Sequence, residues 1–170
     1  LDWLIVGGGI HGVHIAARLM GEAGVALERL RIIDPGARLL ERWRTCTATT
    51  GMTHLRSPSV HNLDLNPWSL IEYAEQRNRR ETDLFTPPYN RPNLRFFNDH
   101  CDRVIAAFDM DRLHVRDRAV ACRVGCDGIA VDLASGPTLR ASNVVLAIGA
   151  GEQPHWPAWA PRDHARVHHV

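Results

Sequence analysis

Leu4-Ile5-Val6-Gly7-Gly8-Gly9-Ile10-His11-Gly12 is the stretch on which the fold turns. A short apolar run ends in three glycines, and the residues beyond them place Val13, Ala16, Ala17 and Met20 at helical spacing. The pattern passes from strand to helix within a few residues, which predicts a strand, a tight turn and a helix in direct succession. Gly7 lets the backbone turn sharply as the strand ends. Gly9 has no Cβ to hold a ligand off the main chain, and Gly12 lets helix and strand pack closely.

Outward from this turn, the helix is expected to stop between Gly21 and Gly24, Leu30-Arg31-Ile32-Ile33 forms a second strand, and Asp34 closes it. A carboxylate at the tip of the second strand, about 20 residues beyond a G-x-G-x-x-G turn, can accept hydrogen bonds from a ribose diol. The amides and positive dipole at the start of the first helix suit a pyrophosphate. The plainer reading makes Asp34-Pro35-Gly36 only a solvated turn; the spacing favours a dinucleotide site. The same carboxylate repels a 2′-phosphate and so disfavours NADP at this position.

A chain of 170 residues suits one domain or a little more. Its net charge of +1 gives no reason to expect nucleic acid or a membrane surface as partner. No apolar run nears the roughly 20 residues of a membrane span, and no charged leader precedes an apolar segment, so a soluble, cytoplasmic protein is expected. All twenty basic residues are arginine, which excludes a Schiff-base lysine and a phosphate-loop lysine. Cys46, Cys101, Cys122 and Cys126 include no C-x-x-C and read as free thiols of a reducing compartment. The ten histidines are scattered apart from His168-His169, so no metal site is expected. Neither the substrate nor the oligomeric state can be read from these residues.

After Asp34, the segment from Thr45 to Asn66 shows no sustained period, yet Met52, Leu55, Val60, Leu63 and Leu65 run through it. It reads as an ordered loop lying over a ligand, with Arg42, Arg44, Arg56, His54 and His61 as groups able to face an anion; taken singly, each is better read as a surface arginine or a packed histidine. Asn66-Pro67-Trp68-Ser69 opens a helix bearing Leu70, Ile71, Tyr73 and Ala74, which dissolves in the charged run from Arg77 to Glu81. Phe85 to Pro92 is a proline-stiffened connection. Leu94, Phe97, Cys101, Val104, Ile105 and Phe108 form one apolar stripe on a helix expected to pack on the sheet. From Leu113 the period becomes two. Leu113-His114-Val115, Ala119 to Gly125, Ile129 to Leu133 and Thr138-Leu139-Arg140 predict an antiparallel meander. Val144 to Ile148 reads as a parallel strand buried on both faces, ending at Gly149 on the same sheet edge as the first turn. Residues 152–170 carry no assignable element and are read as a tail or the start of a linker after a domain of residues 1–151.

Taken together, the glycine turn with Ala16 four residues beyond it, the acid closing the second strand, the late meander and Val144-Val145-Leu146-Ala147-Ile148-Gly149 resemble the FAD domain of the two-dinucleotide-binding flavoprotein superfamily. Its second fingerprint usually ends Ala-Thr-Gly; Ile148 stands in place of the threonine here. Within the superfamily the chain is most similar to flavin-containing monooxygenases and the ornithine and lysine N-hydroxylases. Trp43 stands nine residues beyond Asp34, as in the former, although Leu40-Glu41 replaces their usual Gly-Gly. Leu55-Arg56-Ser57-Pro58 and Pro67-Trp68-Ser69-Leu70 are similar to the N-hydroxylase segment beside the flavin ring.

The resemblance implies an α/β, Rossmann-like FAD/NAD(P)-binding domain: a parallel sheet with an inserted antiparallel β-meander. It implies pyrophosphate on the backbone of Gly7, Gly8, Gly9, Ile10, His11 and Gly12, with adenosine ribose at Asp34 and Pro35. Adenine would lie against the backbone of Val120, Trp43 and Arg56 would contact the cofactor nearer the isoalloxazine, and Ala147 and Gly149 would pass close to the phosphates. The implied activity is that of a FAD-dependent oxidoreductase of the monooxygenase branch, passing one oxygen of O₂ to a small-molecule substrate. NADPH would bind in a second domain that these residues do not supply, so turnover by them alone is not expected. Two other readings stand beside it, a non-catalytic FAD- or NAD-binding module and an NAD(P)-dependent oxidoreductase, the latter weakened by the meander.

Overall fold

Four consecutive apolar residues, Trp3–Val6, form β1, and they are apolar because the strand is covered on both sides. In the computed structural model, which describes residues 1–77, 84–149 and 157–159, β1 lies inside a four-stranded parallel sheet with β2 (Leu30–Asp34), β5 (His114–Arg116) and β9 (Asn143–Leu146). The strand order is β5-β2-β1-β9. Ile5 pairs in register with Ile32 on one side and Val145 on the other. Alternate side chains then leave for opposite layers. Ile5 and Ile32 join a core with Val13, Ala16 and Ala17 of α1 (Ile10–Gly21), while Leu4, Val6 and Ile33 pack against Val131, Leu133 and Ala141 of the meander. The parallel sheet is thus the middle of three layers.

The helical layer also holds α2 (Glu41–Thr49), α3 (Ser69–Gln76) and α4 (Leu94–Ala107), with a short hairpin of β3 (Phe85–Thr86) and β4 (Arg91–Pro92). Asn93 starts α4 by accepting the Phe96 N–H at 2.8 Å. Aromatic rings knit this layer: Tyr73 stacks on Phe96 at 5.3 Å, Phe85 meets Phe96 edge-on at 5.7 Å, and Trp43 meets Phe97 edge-on at 5.8 Å. Such pairs contribute about 0.5–1.5 kcal/mol each beyond the area they bury. The predicted stripe of α4 is buried at Phe97, Cys101, Val104 and Ile105, and Phe96 and His100 are buried beside it. The apolar residues among them belong to the same core cluster as Ile5 and Ile32.

The meander of β6 (Ala119–Gly125), β7 (Gly128–Leu133) and β8 (Thr138–Ala141) has the expected antiparallel order. Three expectations change. His114–Arg116 leaves the meander and pairs parallel to β2, because its alternation does not specify which sheet it joins. Residues 41–49 form α2 where the polar sequence gave no period; the helix buries only Thr47 fully and is held by Trp43. The strand expected to be covered on both faces, β9, is the sheet edge among the described residues. Val145 and Ala147 reach the helical core and Val144 the meander, but Leu146 and Ile148 are each 62% exposed. The charged residues 78–81 and residues 150–156 and 160–170, including Trp156 and His168-His169, lie outside the described residues.

Candidate functional site

The parallel register brings the ends of β1, β2 and β9 to one edge, and the glycine turn crosses that edge. Gly7 donates its N–H to Ile33 O at 2.8 Å, and Ala147 donates to Val6 O at 2.8 Å, so the turn is laced to both flanking strands. A Cβ on Gly7 would meet Ala147 O at 2.4 Å, and Gly7 has φ +111° besides. A Cβ on Gly12 would fall 1.9 Å from Gly7 O. Both positions exclude a side chain, for the close packing anticipated from the sequence. A Cβ on Gly9 would meet nothing within 4 Å; the space above it is open, as a ligand lying on the main chain requires.

Helix α1 begins at this opening. Its first ladder bond runs from Val13 N–H to Gly9 O at 3.0 Å, so the amides of Ile10, His11 and Gly12 precede the ladder. No side chain caps the helix, and no acid lies in its first turn. An anion is the natural partner for such an end.

Asp34 ties the turn to β2. Its Oδ2 accepts the Gly8 N–H at 2.7 Å and its Oδ1 accepts the Gly36 N–H at 2.8 Å. A carboxylate has about four lone-pair sites, so each oxygen keeps capacity for a hydroxyl donor. Gly8 fits because a Cβ there would come within 3.0 Å of Asp34 Cβ and 3.1 Å of Leu39 Cδ2. The turn residue Pro35 is exposed. The Asp34 carbonyl faces His114 Nε2 at 3.1 Å and accepts from Asp117 N–H at 3.2 Å, and Gly8 O accepts from Leu40 N–H at 2.8 Å. Gly36, Leu40 and His114 were not among the site residues expected from the sequence. Asp-Pro-Gly could have signalled the Gly36 bond as an Asx turn; the other two depend on distant backbone.

The remaining named residues are placed as follows. Val120 is 59% exposed and sits at a bulge: Ala119 pairs Leu133 and Ala121 pairs Asp132, leaving Val120 outside the ladder. Ala147 is half-buried against Gly7, and Gly149 is exposed with φ +61°. Trp43 lies on α2 with its indole N–H donated to Asn98 Oδ1 at 3.0 Å. Arg56 is exposed, next to the buried Leu55. Arg44 pairs with Asp102 at 2.6 Å, His54 faces Thr53 Oγ1 at 3.2 Å, and His61 is exposed. The structure therefore gathers the glycine turn, Asp34 and Ala147 at one edge, with Gly149 two residues further along the chain, whereas Arg44 is engaged on α4.

Cys101 is buried, and burial pushes its thiol up to about 12, far from a thiolate at neutral pH. Among the described residues, no three histidine, cysteine, aspartate or glutamate side chains come together as a metal site would require. No helix among them is long and apolar enough to cross a membrane.

The profile of the FAD-NAD(P)-binding family matches residues 4–151. Solved structures with the same fold include a closed crystal structure of cyclohexanone monooxygenase, at 16% identity and TM-score 0.61, covering 92% of this chain and 27% of that one. OTEMO in complex with FAD and NADP also superposes, at 16% identity and TM-score 0.61, over 96% of this chain and 28% of that one. A flavin monooxygenase from Stenotrophomonas maltophilia follows at 15% identity and TM-score 0.59, over 92% of this chain and 41% of that one. The chain thus spans between about a quarter and two fifths of the length of these structures. No curated relative matches its sequence.

Proposed function

Because the chain belongs to the FAD-NAD(P)-binding family, we propose that its glycine turn holds FAD and that residues 1–151 are the FAD-binding part of a flavin-dependent monooxygenase. The observation that carries this reading is the pairing of Asp34 with the Gly8 and Gly36 amides beside the open start of α1. It sets a hydroxyl acceptor and a row of amides at one sheet edge, which is what an adenosine diphosphate moiety needs.

In this reading the amides of Ile10, His11 and Gly12 take the diphosphate, and the bare Gly9 lets it approach the main chain. Asp34 takes the ribose hydroxyls, and the bulged backbone at Val120 takes the adenine edge. Trp43 and Arg56 are assigned to the flavin end, and Ala147 and Gly149 to the phosphates, as the superfamily resemblance suggests. The flavin, when bound, supplies the redox and oxygen-transfer chemistry; the chain contributes position, charge and exclusion of water. The neighbours named above, one of them crystallised with FAD and NADP, support a monooxygenase branch and a small-molecule substrate. Residues 152–170 are assigned to a linker. A cytoplasmic location is part of the proposal and agrees with the four unpaired cysteines.

The test is a fluorescence titration of the purified chain with FAD. A saturable, stoichiometric quench is expected, and a yellow protein after gel filtration. Failure to take up FAD, with tighter binding of NAD, would replace this reading by that of an NAD-dependent enzyme. With FAD bound, the 170-residue chain is expected not to oxidise NADPH in a steady-state absorbance assay, since these residues contain a single G-x-G-x-x-G turn, which the FAD itself would fill.

A further inference from the structure

Between α3 and α4, in the helical layer, lies a small cavity of about 110 Å³ with His100 at its buried end. Ser69, Glu72, Tyr73 and Gln76 line it from α3, at the i, i+3, i+4 and i+7 positions that share one helix face. A face turned toward another helix ordinarily carries an apolar stripe; three of these four residues are polar. None of the lining residues belongs to the glycine turn or to the Asp34 edge.

The hydrogen bonds beneath the cavity decide which atom of His100 is left over. Asn62 Nδ2 donates to the Ser59 and Pro67 carbonyls at 3.3 and 3.0 Å, so its Oδ1 is the acceptor for Asp64 N–H at 2.8 Å and for the Ser69 hydroxyl at 3.2 Å. With its proton directed there, Ser69 Oγ accepts from His100 Nε2 at 3.0 Å. The imidazole proton therefore sits on Nε2, and Nδ1 presents a lone pair that is buried and has no partner. His100 as a whole is 1% exposed. A buried acceptor without a donor is costly, and native interiors rarely keep one.

The other groups left over around the cavity are acceptors too. Asp64 Oδ1 takes the Leu65 N–H at 2.6 Å and Glu72 Oε1 takes an Asn66 Nδ2–H at 2.9 Å, which leaves the second oxygen of each carboxylate. Arg103, the cation among the lining residues, is turned to Gln76 Oε1 at 2.6 Å and to the Tyr73 ring at 5.0 Å. Burial pushes His100 down to about 4 and keeps it neutral, so two carboxylates against one guanidinium leave a single negative charge.

We infer that this cavity is a binding site for a compact organic ammonium ion, whose N–H donors meet His100 Nδ1 and the two remaining carboxylate oxygens. A primary ammonium brings three N–H donors and one positive charge, which answer the three acceptors and the net negative charge. A metal ion does not suit the same place, because no three histidine, cysteine, aspartate or glutamate side chains among the described residues converge on one point. The inference does not depend on the function proposed above.

The probe is ethylammonium chloride, added to the 170-residue chain at neutral pH, with sodium chloride at equal ionic strength as control. Differential scanning fluorimetry should show a saturable rise in the thermal midpoint, roughly 3–5 °C at ten times a dissociation constant on the order of 1 mM, the range open to a ligand of three heavy atoms. Glu72→Gln and Asp64→Asn each remove one charge and keep the shape of the side chain, and each should weaken binding at least about fivefold. The nitrogen NMR signal of His100 Nδ1 should move, on addition of the amine, to that of a hydrogen-bonded acceptor. An equal rise with sodium chloride, or native affinity in both variants, would overturn the inference. So would an Nδ1 signal that is already that of a hydrogen-bonded acceptor before the amine is added and unchanged by it, which would assign the cavity to water alone. The FAD dissociation constant should be the same with and without ethylammonium; competition between the two would place the ion at the nucleotide edge and overturn the site between α3 and α4.

Discussion

Asp34 braces the turn through one side chain, and in the proposed function the same carboxylate takes the ribose hydroxyls. Asp34→Ala leaves the Gly8 and Gly36 amides without their acceptor. Loss of such partners destabilises by about 1–3 kcal/mol, so urea denaturation should show a lower midpoint, and FAD titration should show affinity down by at least about tenfold. His100 gives a pH-dependent counterpart far from the sheet edge. It is 1% exposed, and burial pushes its imidazole down from 6.5 to about 4, with Asp64 opposing and Arg103 reinforcing the shift. Its Nε2 lies 3.0 Å from Ser69 Oγ, while its buried Nδ1 has no hydrogen-bond partner. Because the unfolded chain binds the proton more readily, the stability that neutral His100 contributes is complete above about pH 6.5. It is lost progressively down to about pH 4, by roughly 3 kcal/mol in all. Urea melts at pH 7 and pH 4.5 should show a smaller drop in His100→Gln than in the native chain.

Helices and strands differ in how openly the sequence announces them. Asn93 caps α4 by a side-chain bond, and Asn93→Ala should lower stability by about 1 kcal/mol, read as a shift in the thermal midpoint. β1, α1, β2, α3, α4 and the meander were legible because their apolar spacing is local. α2 was not: Glu41, Arg42, Arg44 and Thr45 give no stripe, and the helix exists by virtue of Trp43 docking on Phe97 and Asn98 of α4. β5 was legible as a strand but not as a neighbour of β2, whose Ile32 pairs with His114 from far back in the chain. The same contrast holds at the site. The glycines and Asp34 could be read from spacing, whereas Leu40 enters through its backbone N–H and His114 through its imidazole against the Asp34 carbonyl, contacts that leave no mark in the sequence. The exposure of β9 could not be read either, since an apolar strand carries no sign of whether it lies at an edge.

For the molecule as a whole, the three layers meet where β1, β2 and β9 end, so a ligand at that edge stabilises all of them together. A ligand at one hundred times its dissociation constant adds about 2.7 kcal/mol to the folded state. In a chain of this size that corresponds to roughly 5–10 °C in the thermal midpoint. Differential scanning fluorimetry should show such a rise with FAD, and little change with NADP⁺ at equal concentration, because the latter brings a 2′-phosphate toward Asp34.

The hydrogen bonds from Gly8 and Gly36 to Asp34 are made within the chain itself, so the loop is braced by its own side chain. Uptake of a cofactor should then ask little rearrangement of the loop. Association should be fast and single-phased, and amide exchange at Gly8 should be slow before loading as well as after it.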